Sequence, residues 1–350
     1  MRNVAIVVGV LVALALGGAY VAGLFDAGEA PESTAAACLK DDEIDAAKRD
    51  AAAAAARAFY DRVLKGDATA HDALTDEAKK LVTADAFAQM MRTIAGNGPY
   101  EDMRLANAYH PTVSEPQRAT CAADGALKSV SVSAIPDATQ IHTILEARTR
   151  NNDWAFTAWM MEQDGAWRVH AFYVAPASLV GLGPAELFAM AEAQQTKGHT
   201  FSARLLYAVA RGVADRGPNI DLGIGNDIAT ALAKQTPPVE LEGAPPFKWK
   251  LDGTTFDVEF VALVGTDKRL GLMLLHRDPA WDGKDTGRAE RRNKRLIDAF
   301  VKTHPEYKEV FAYIVARILE PGKDTGWGTV FDAKKGYDMG EPATTRRKPR

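Results

Sequence analysis

The apolar pattern of this chain changes period repeatedly, and the changes mark its segments. Residues 4–25 form one uncharged apolar run, long enough at 1.5 Å per residue to cross a hydrocarbon core of about 30 Å. Residues 26–40 are small, acidic and Pro-containing, the composition of a linker. Helical spacing follows at Ile44, Ala47, Ala51, Ala55, Ala58, Phe59 and Val63, with Asp41 and Asp42 as candidate caps and Gly66 past the end. Thr75 caps a short second helix. A third starts at Thr83, buries Phe87, Met90, Met91 and Ile94, and stops at Gly96-Asn97-Gly98-Pro99.

After Pro99 the period becomes two. Met103, Leu105 and Tyr109 alternate, then Val130 and Val132 against serines, then Ile141, Thr143, Leu145 and Ala147. The sharpest signal is a hairpin of 154–161 with 167–174, turning at Asp164-Gly165. Regular pairing about that turn sets Trp159 opposite His170 and Met161 opposite Arg168. One face then carries Trp154, Phe156, Met160, Trp167, Val169 and Tyr173. The other carries Trp159, Met161, Phe172 and Val174. Both faces want cover, so the second is expected to pack on the next domain or on a partner.

Helical spacing returns after Gly181-Leu182-Gly183-Pro184 and again after Gly198, with a third helix expected over 226–234. Pro-Pro pairs at 237–238 and 245–246 mark a linker. Beyond it a second Asp-Gly hairpin turns at Asp252-Gly253, a third strand covers 270–276, and a helix over 287–303 buries Leu296, Ile297, Phe300 and Val301. Strands over 310–319 and 327–331 complete the pattern. The domains expected are therefore a transmembrane anchor or signal segment (1–25), a linker (26–40), a helix-then-sheet domain (41–176), a helical segment (177–236), an α+β domain (237–335) and a disordered basic tail (336–350).

Composition changes this picture in two places. The formal net charge of -4 conceals an asymmetry, because residues 264–350 hold 19 Lys and Arg against 13 Asp and Glu. Arg2 precedes the apolar run, while Asp26, Glu29 and Glu32 follow it, which sets the N-terminus in the cytoplasm and the bulk of the chain outside. The run is either a single-pass anchor or a cleavable signal with small residues at Gly17-Gly18-Ala19; both readings export the chain, and the second secretes it. Cys38 and Cys121 are the only cysteines. They are too few for a zinc site, and in an exported chain they either form a disulfide or stay as two free thiols.

Three helices followed by antiparallel strands, with Ala58-Phe59-Tyr60 closing the first helix and Asp164-Gly165-Ala166-Trp167-Arg168-Val169 opening the last strand, resemble the NTF2-like fold. Gly198, Ala203, Tyr207 and Ala210, with Ala191 in the preceding helix, resemble a single tetratricopeptide helical hairpin. The fold class expected is α+β: an N-terminal transmembrane helix, an NTF2-like helix-backed antiparallel sheet, a helical hairpin linker and a C-terminal α+β domain. The NTF2-like resemblance implies a pocket between helices and sheet, which Trp154, Phe156, Trp167, Tyr173 and Tyr60 would line.

No spacing supplies a catalytic motif, and no cofactor or metal is expected. His142, Glu146, Arg148 and His170 are strand residues, and His276-Arg277-Asp278 matches a kinase loop in letters only. Arg288, Arg291, Arg292, Lys294 and Arg295 crowd one helix start, as a solvated face or as a contact for anionic headgroups or an acidic partner. The short tract at 346–350 argues against nucleic acid. The expected function is a membrane-tethered, non-catalytic interaction or scaffold protein whose partners are the membrane and other envelope proteins. Its partner surface would use Trp159, Met161, Phe172, Arg291, Arg292 and Arg295. The alternative is a small-ligand binder, or a lyase or isomerase, using the pocket.

Overall fold

The computed structural model describes residues 37–122 and 127–337. The apolar run at 4–25 and the basic tail at 346–350 lie outside the described residues. Among those described, no helix is long and apolar enough to cross a membrane. The fold is α+β with largely antiparallel sheets. It divides into two units, one holding residues 37–186 and 210–230 and the other 187–209 and 231–337. The middle segment is thus shared between the two.

In the N-terminal unit, α1 (Ala46–Lys65) is capped by Asp45, whose carboxylate accepts from the Lys48 amide at 3.0 Å, and closes on Gly66 at φ 69°. Asp41, expected as a cap, instead accepts from the Ala108 amide at 2.8 Å and the Asn107 side chain at 3.4 Å. Thr75 and Thr83 cap α2 (Asp76–Leu81) and α3 (Ala84–Gly96).

These helices back a five-stranded sheet in the order β1 (Ala37–Lys40), β2 (Glu101–Thr112), β5 (Gln140–Arg148), β6 (Asp153–Gln163) and β7 (Ala166–Pro176). The end of the expected linker is therefore strand β1, with Leu39 facing His110 across the ladder. A separate three-stranded sheet pairs β3 (Gln117–Ala122), β4 (Ser129–Ala134) and β8 (Ile220–Leu222). Cys38 on β1 and Cys121 on β3 form a disulfide, Cα to Cα 5.1 Å.

The hairpin β6–β7 departs from regular pairing at one residue. Met161 faces Arg168 and Met160 faces Val169, but Trp159 faces Ala171, so His170 is an extra, bulged residue. Because side chains alternate with period two, one inserted residue moves every later side chain to the opposite face. Phe172 and Val174 therefore join the helix-covered core, where Phe172 meets Phe59 at 5.1 Å and Phe87 at 5.7 Å edge to face. Tyr173 moves to the other face, where its hydroxyl donates to Asp215 at 2.9 Å.

The helices α4 (Pro184–Thr196) and α5 (Thr200–Ala214), most of whose residues fall in the C-terminal unit, turn at Gly198, whose φ of 78° suits glycine. Phe188 and Tyr207 pack at 5.7 Å. The sheet runs β9 (Phe247–Leu251), β10 (Thr254–Thr266), β11 (Arg269–Arg277), β12 (Tyr313–Leu319) and β13 (Gly326–Asp332) in sequence order. Asp252 and Gly253 both hold positive φ, the backbone that a two-residue hairpin needs. Since β11 and β12 are parallel, a crossover must join them. After α6 (Gly223–Ala233), most of which belongs to the N-terminal unit, the crossover helix is α7 (Thr286–Thr303), which buries Ala289, Asn293, Leu296, Ile297 and Phe300 against the sheet.

Candidate functional site

The expected pocket residues do not share one cavity. Trp154, Phe156 and Tyr60 are buried in the core between sheet and helices. Tyr60 meets Phe156 at 5.0 Å, and Tyr100 meets Phe156 at 5.0 Å and Trp154 at 5.8 Å, all edge to face. The space is filled by aromatic rings in a favoured packing geometry. The Tyr60 hydroxyl donates to the Thr157 carbonyl, with the Tyr173 carbonyl at 3.3 Å, and burial raises its pKa. It cannot serve as a pocket acid or base. Trp167 packs at the margin of the same core, and Tyr173 lies on the opposite face because of the bulge.

The second sheet face is covered by the chain itself, by β4 and by residues 216–220 of the segment that follows the hairpin, so of the two expected covers it is the following segment rather than a partner that lies over this face. Trp159 and Met161 are buried, and Phe172 belongs to the helix side. Trp159 donates its indole N–H to Gln140 at 3.1 Å and stacks on His142 at 4.9 Å. The cover comes from β4 and from the segment leading into β8. Ser133 accepts from His142 Nε2 at 2.7 Å, its amide donates to the Asn219 carbonyl at 3.0 Å, and Thr157 donates to the Arg216 carbonyl at 3.1 Å. Gly217, at φ 87°, lies so close over Tyr173 that a Cβ would stand 2.7 Å from the Tyr173 side chain. The crevice that remains is about 10 Å³, room for a single water at most. Burial pushes the His142 imidazole down to about 3, so it is neutral and structural.

The basic helix start is sorted by helical phase into inward and outward cations. Arg292 turns inward, with its guanidinium 4.3 Å over the Phe256 ring and Nη2 donating to the Thr255 carbonyl at 2.7 Å. Arg288 and Arg292 both approach Asp278 at 3.9 Å. Beneath them His276 Nε2 donates to Asn293 Oδ1 at 2.7 Å, and the Asn293 amide donates to the Trp327 carbonyl at 2.9 Å and the Thr329 hydroxyl at 3.1 Å. The amide has two N–H groups and both are used, so the arrangement fixes its orientation and makes His276 the donor. Burial pushes His276 down to about 4. Arg292, expected on the partner surface, is therefore committed to the fold.

Arg291 and Arg295 lie one turn apart on the exposed side, where residues four apart are neighbours. With Lys294 they form one wall of a groove of about 340 Å³, and Asp252 and Thr254 of the β9–β10 turn form the other. Leu251 and Ala299 floor it, and Asp298 completes the rim. The neighbouring charges are engaged: Lys294 pairs with Glu290 at 2.8 Å, Lys302 donates to Asp252 at 2.6 Å, and the Tyr337 hydroxyl donates to Asp298 at 2.6 Å. The lysine's hydrogen bond holds the Asp252 carboxyl below its ordinary pKa, and the charge of Arg295 adds to the effect. Arg291 and Arg295 themselves have no ion-pair partner among the described residues. The Thr254 hydroxyl is shielded from solvent and makes no hydrogen bond.

A third histidine escaped sequence reasoning. His304, at the end of α7, lies between the Phe201 and Phe300 rings and faces Glu240 at 3.1 Å and Glu306 at 3.3 Å. Burial opposes its charge, but the two carboxylates outweigh burial and raise its pKa. Glu240 is sixty-four residues away in sequence, so no local pattern could have paired them.

Among the described residues, no group of three His, Cys, Asp or Glu is placed to hold a metal ion. No protein-family model, curated protein or solved structure matches the chain. The groove beside α7 is thus defined by its own geometry. It is an open cationic site with two uncommitted guanidinium groups, three oxygen-bearing side chains and an apolar floor.

Proposed function

We propose that this is an exported, membrane-tethered, non-catalytic interaction protein of the cell envelope, which presents the groove beside α7 to an anionic envelope component. The observation that carries the reading is the pair Arg291 and Arg295, one turn apart on the groove wall and without an ion pair, while Arg288, Arg292, Lys294 and Lys302 around them are engaged. A folded chain gains little from keeping two adjacent guanidinium groups unpaired, whereas a binding surface for anions requires it. The Cys38–Cys121 disulfide supports export, since such bonds persist in oxidising compartments. The uncharged run at 4–25 and its flanking charges support a single-pass tether with the N-terminus in the cytoplasm.

The helix-backed sheet of the N-terminal unit supports the NTF2-like reading of residues 41–176, and the α4–α5 turn supports the tetratricopeptide-like one. Both would serve here as scaffold. The buried state of His142, His276 and Tyr60 favours binding over chemistry. Chemical crosslinking in intact cells, followed by mild extraction and mass spectrometry, tests the reading on the native chain and on R291E/R295E. A specific envelope component retained by the native chain and lost from the variant supports it. A lone chain in both samples refutes it.

A further inference from the structure

We infer that the groove beside α7 binds a phosphorylated polyol: one phosphate on the arginines and vicinal hydroxyls on the facing oxygens. The inference rests on the reading of this groove as the protein's anion-binding surface and names the ligand chemistry. A volume of about 340 Å³ falls in the range of small-ligand sites, near its lower end.

Arg291, Lys294 and Arg295 recur at helical spacing on one wall. Two guanidinium forks one turn apart can both donate to a single tetrahedral anion, the geometry in which arginine outperforms lysine. A bare anion would nevertheless fit poorly, because the groove also carries Asp252 and Asp298. Asp252 accepts from Lys302 and Asp298 from Tyr337, and an ionised carboxylate accepts more than one hydrogen bond.

A simple phosphate leaves both carboxylates unanswered and meets repulsion from them. A neutral polyol leaves both guanidinium groups unanswered. A compact molecule with phosphate at one end and adjacent hydroxyls at the other answers the two arginines and the two carboxylates, and its C–H edges cover Leu251 and Ala299. Two sources share this chemistry, a free polyol phosphate such as glycerol 3-phosphate and the glycerol-phosphate headgroup of phosphatidylglycerol.

The test uses the full chain in phosphatidylcholine nanodiscs and isothermal titration calorimetry. Glycerol 3-phosphate should bind at least about tenfold more tightly than inorganic phosphate. R291Q/R295Q should lose both ligands, and Asp252→Asn should weaken glycerol 3-phosphate while leaving inorganic phosphate no weaker. An unchanged thermal midpoint in the variants establishes that the fold is retained. Flotation with phosphatidylcholine vesicles of equal anionic fraction then separates the sources. Preference for phosphatidylglycerol over phosphatidylserine identifies the headgroup, and equal retention with tight glycerol 3-phosphate binding identifies the free ester. Equal affinity for inorganic phosphate and glycerol 3-phosphate overturns the inference, as does unchanged binding in R291Q/R295Q. If no polyol phosphate binds while the intact-cell crosslinks still require Arg291 and Arg295, the inference fails and the anion-binding reading stands.

Discussion

The two units use the same materials, helices against a five-stranded sheet, and differ in where they keep their polar and charged groups. In the N-terminal unit the sheet is covered on both faces within the unit, by α1–α3 on one side and by β4 and residues 216–220 on the other. Its polar groups (Tyr60, His142, Thr157 and Arg216) are spent on fastening that cover. In the C-terminal unit the helix start divides its cations. Arg292 is committed inward, while Arg291 and Arg295 remain uncommitted at the surface. The lesson is that the reactive-looking residues of the first unit are buried and committed to packing, whereas the second unit sets two adjacent arginines along a surface groove, which is the proposed working surface.

Removing the disulfide should strain this contrast most. A cross-link spanning 83 residues contributes about 4–5 kcal/mol in the chain-entropy account. In C38S/C121S, hydrogen exchange should quicken through β1–β4 and leave β9–β13 unchanged; equal loss in both units would break the comparison. Next in size is Gly217→Ala, which places a Cβ against Tyr173 at a φ that disfavours side chains and should cost about 2–4 kcal/mol. An unaltered urea midpoint would mean that residues 216–220 do not clamp the sheet. In the C-terminal unit, Asn293→Ala strips His276 and Thr329 of their partner and should cost about 2–3 kcal/mol, read as lost exchange protection in α7 and β11.

Acidification sharpens the comparison through two buried histidines and the half-buried His304. His142 and His276 are pushed down to about 3 and about 4, so the unfolded chain takes up their protons first as pH falls below about 6.5. Stability is full above that value and falls by about 1.4 kcal/mol per pH unit for each histidine below it. His304 has the opposite sign: its raised pKa gives stability that is full below the ordinary histidine value and fades as pH rises through the raised one. A histidine ring titration by NMR should find His304 charged at a pH where His142 and His276 are neutral. The reverse order would contradict the burial assigned to each. The smallest stability effect belongs to R291Q/R295Q, within about 0.5 kcal/mol of the native chain, because exposed unpaired side chains contribute little to folding.

Much of this organisation was legible where a local rule governs it. Thr75 and Thr83 announced their helices, and Asp164-Gly165 and Asp252-Gly253 announced their hairpins, because caps and tight turns depend on residues a few positions apart. The bulge at His170 was not legible, since nothing in the letters shows that one residue is left unpaired, and that single residue exchanged the faces of Phe172 and Tyr173. Strand β8 is three residues long and pairs with β4, far away in sequence, so it left no periodic trace. The division of the arginine cluster could have been read. Arg292 shares the helical phase of Ala289, Leu296 and Phe300, whereas Arg291 and Arg295 lie outside it. The match between Asp252, Thr254 and those two arginines could not, because it joins a hairpin turn to a helix some forty residues on.

The most direct test places a photoreactive residue in intact cells at position 291, and in a second sample at the exposed Arg104 of the N-terminal unit. The account predicts a defined adduct from position 291, abolished by Arg295→Glu, and none from position 104. Adducts of equal yield from both positions, or an adduct from position 291 that survives the charge reversal, would contradict it.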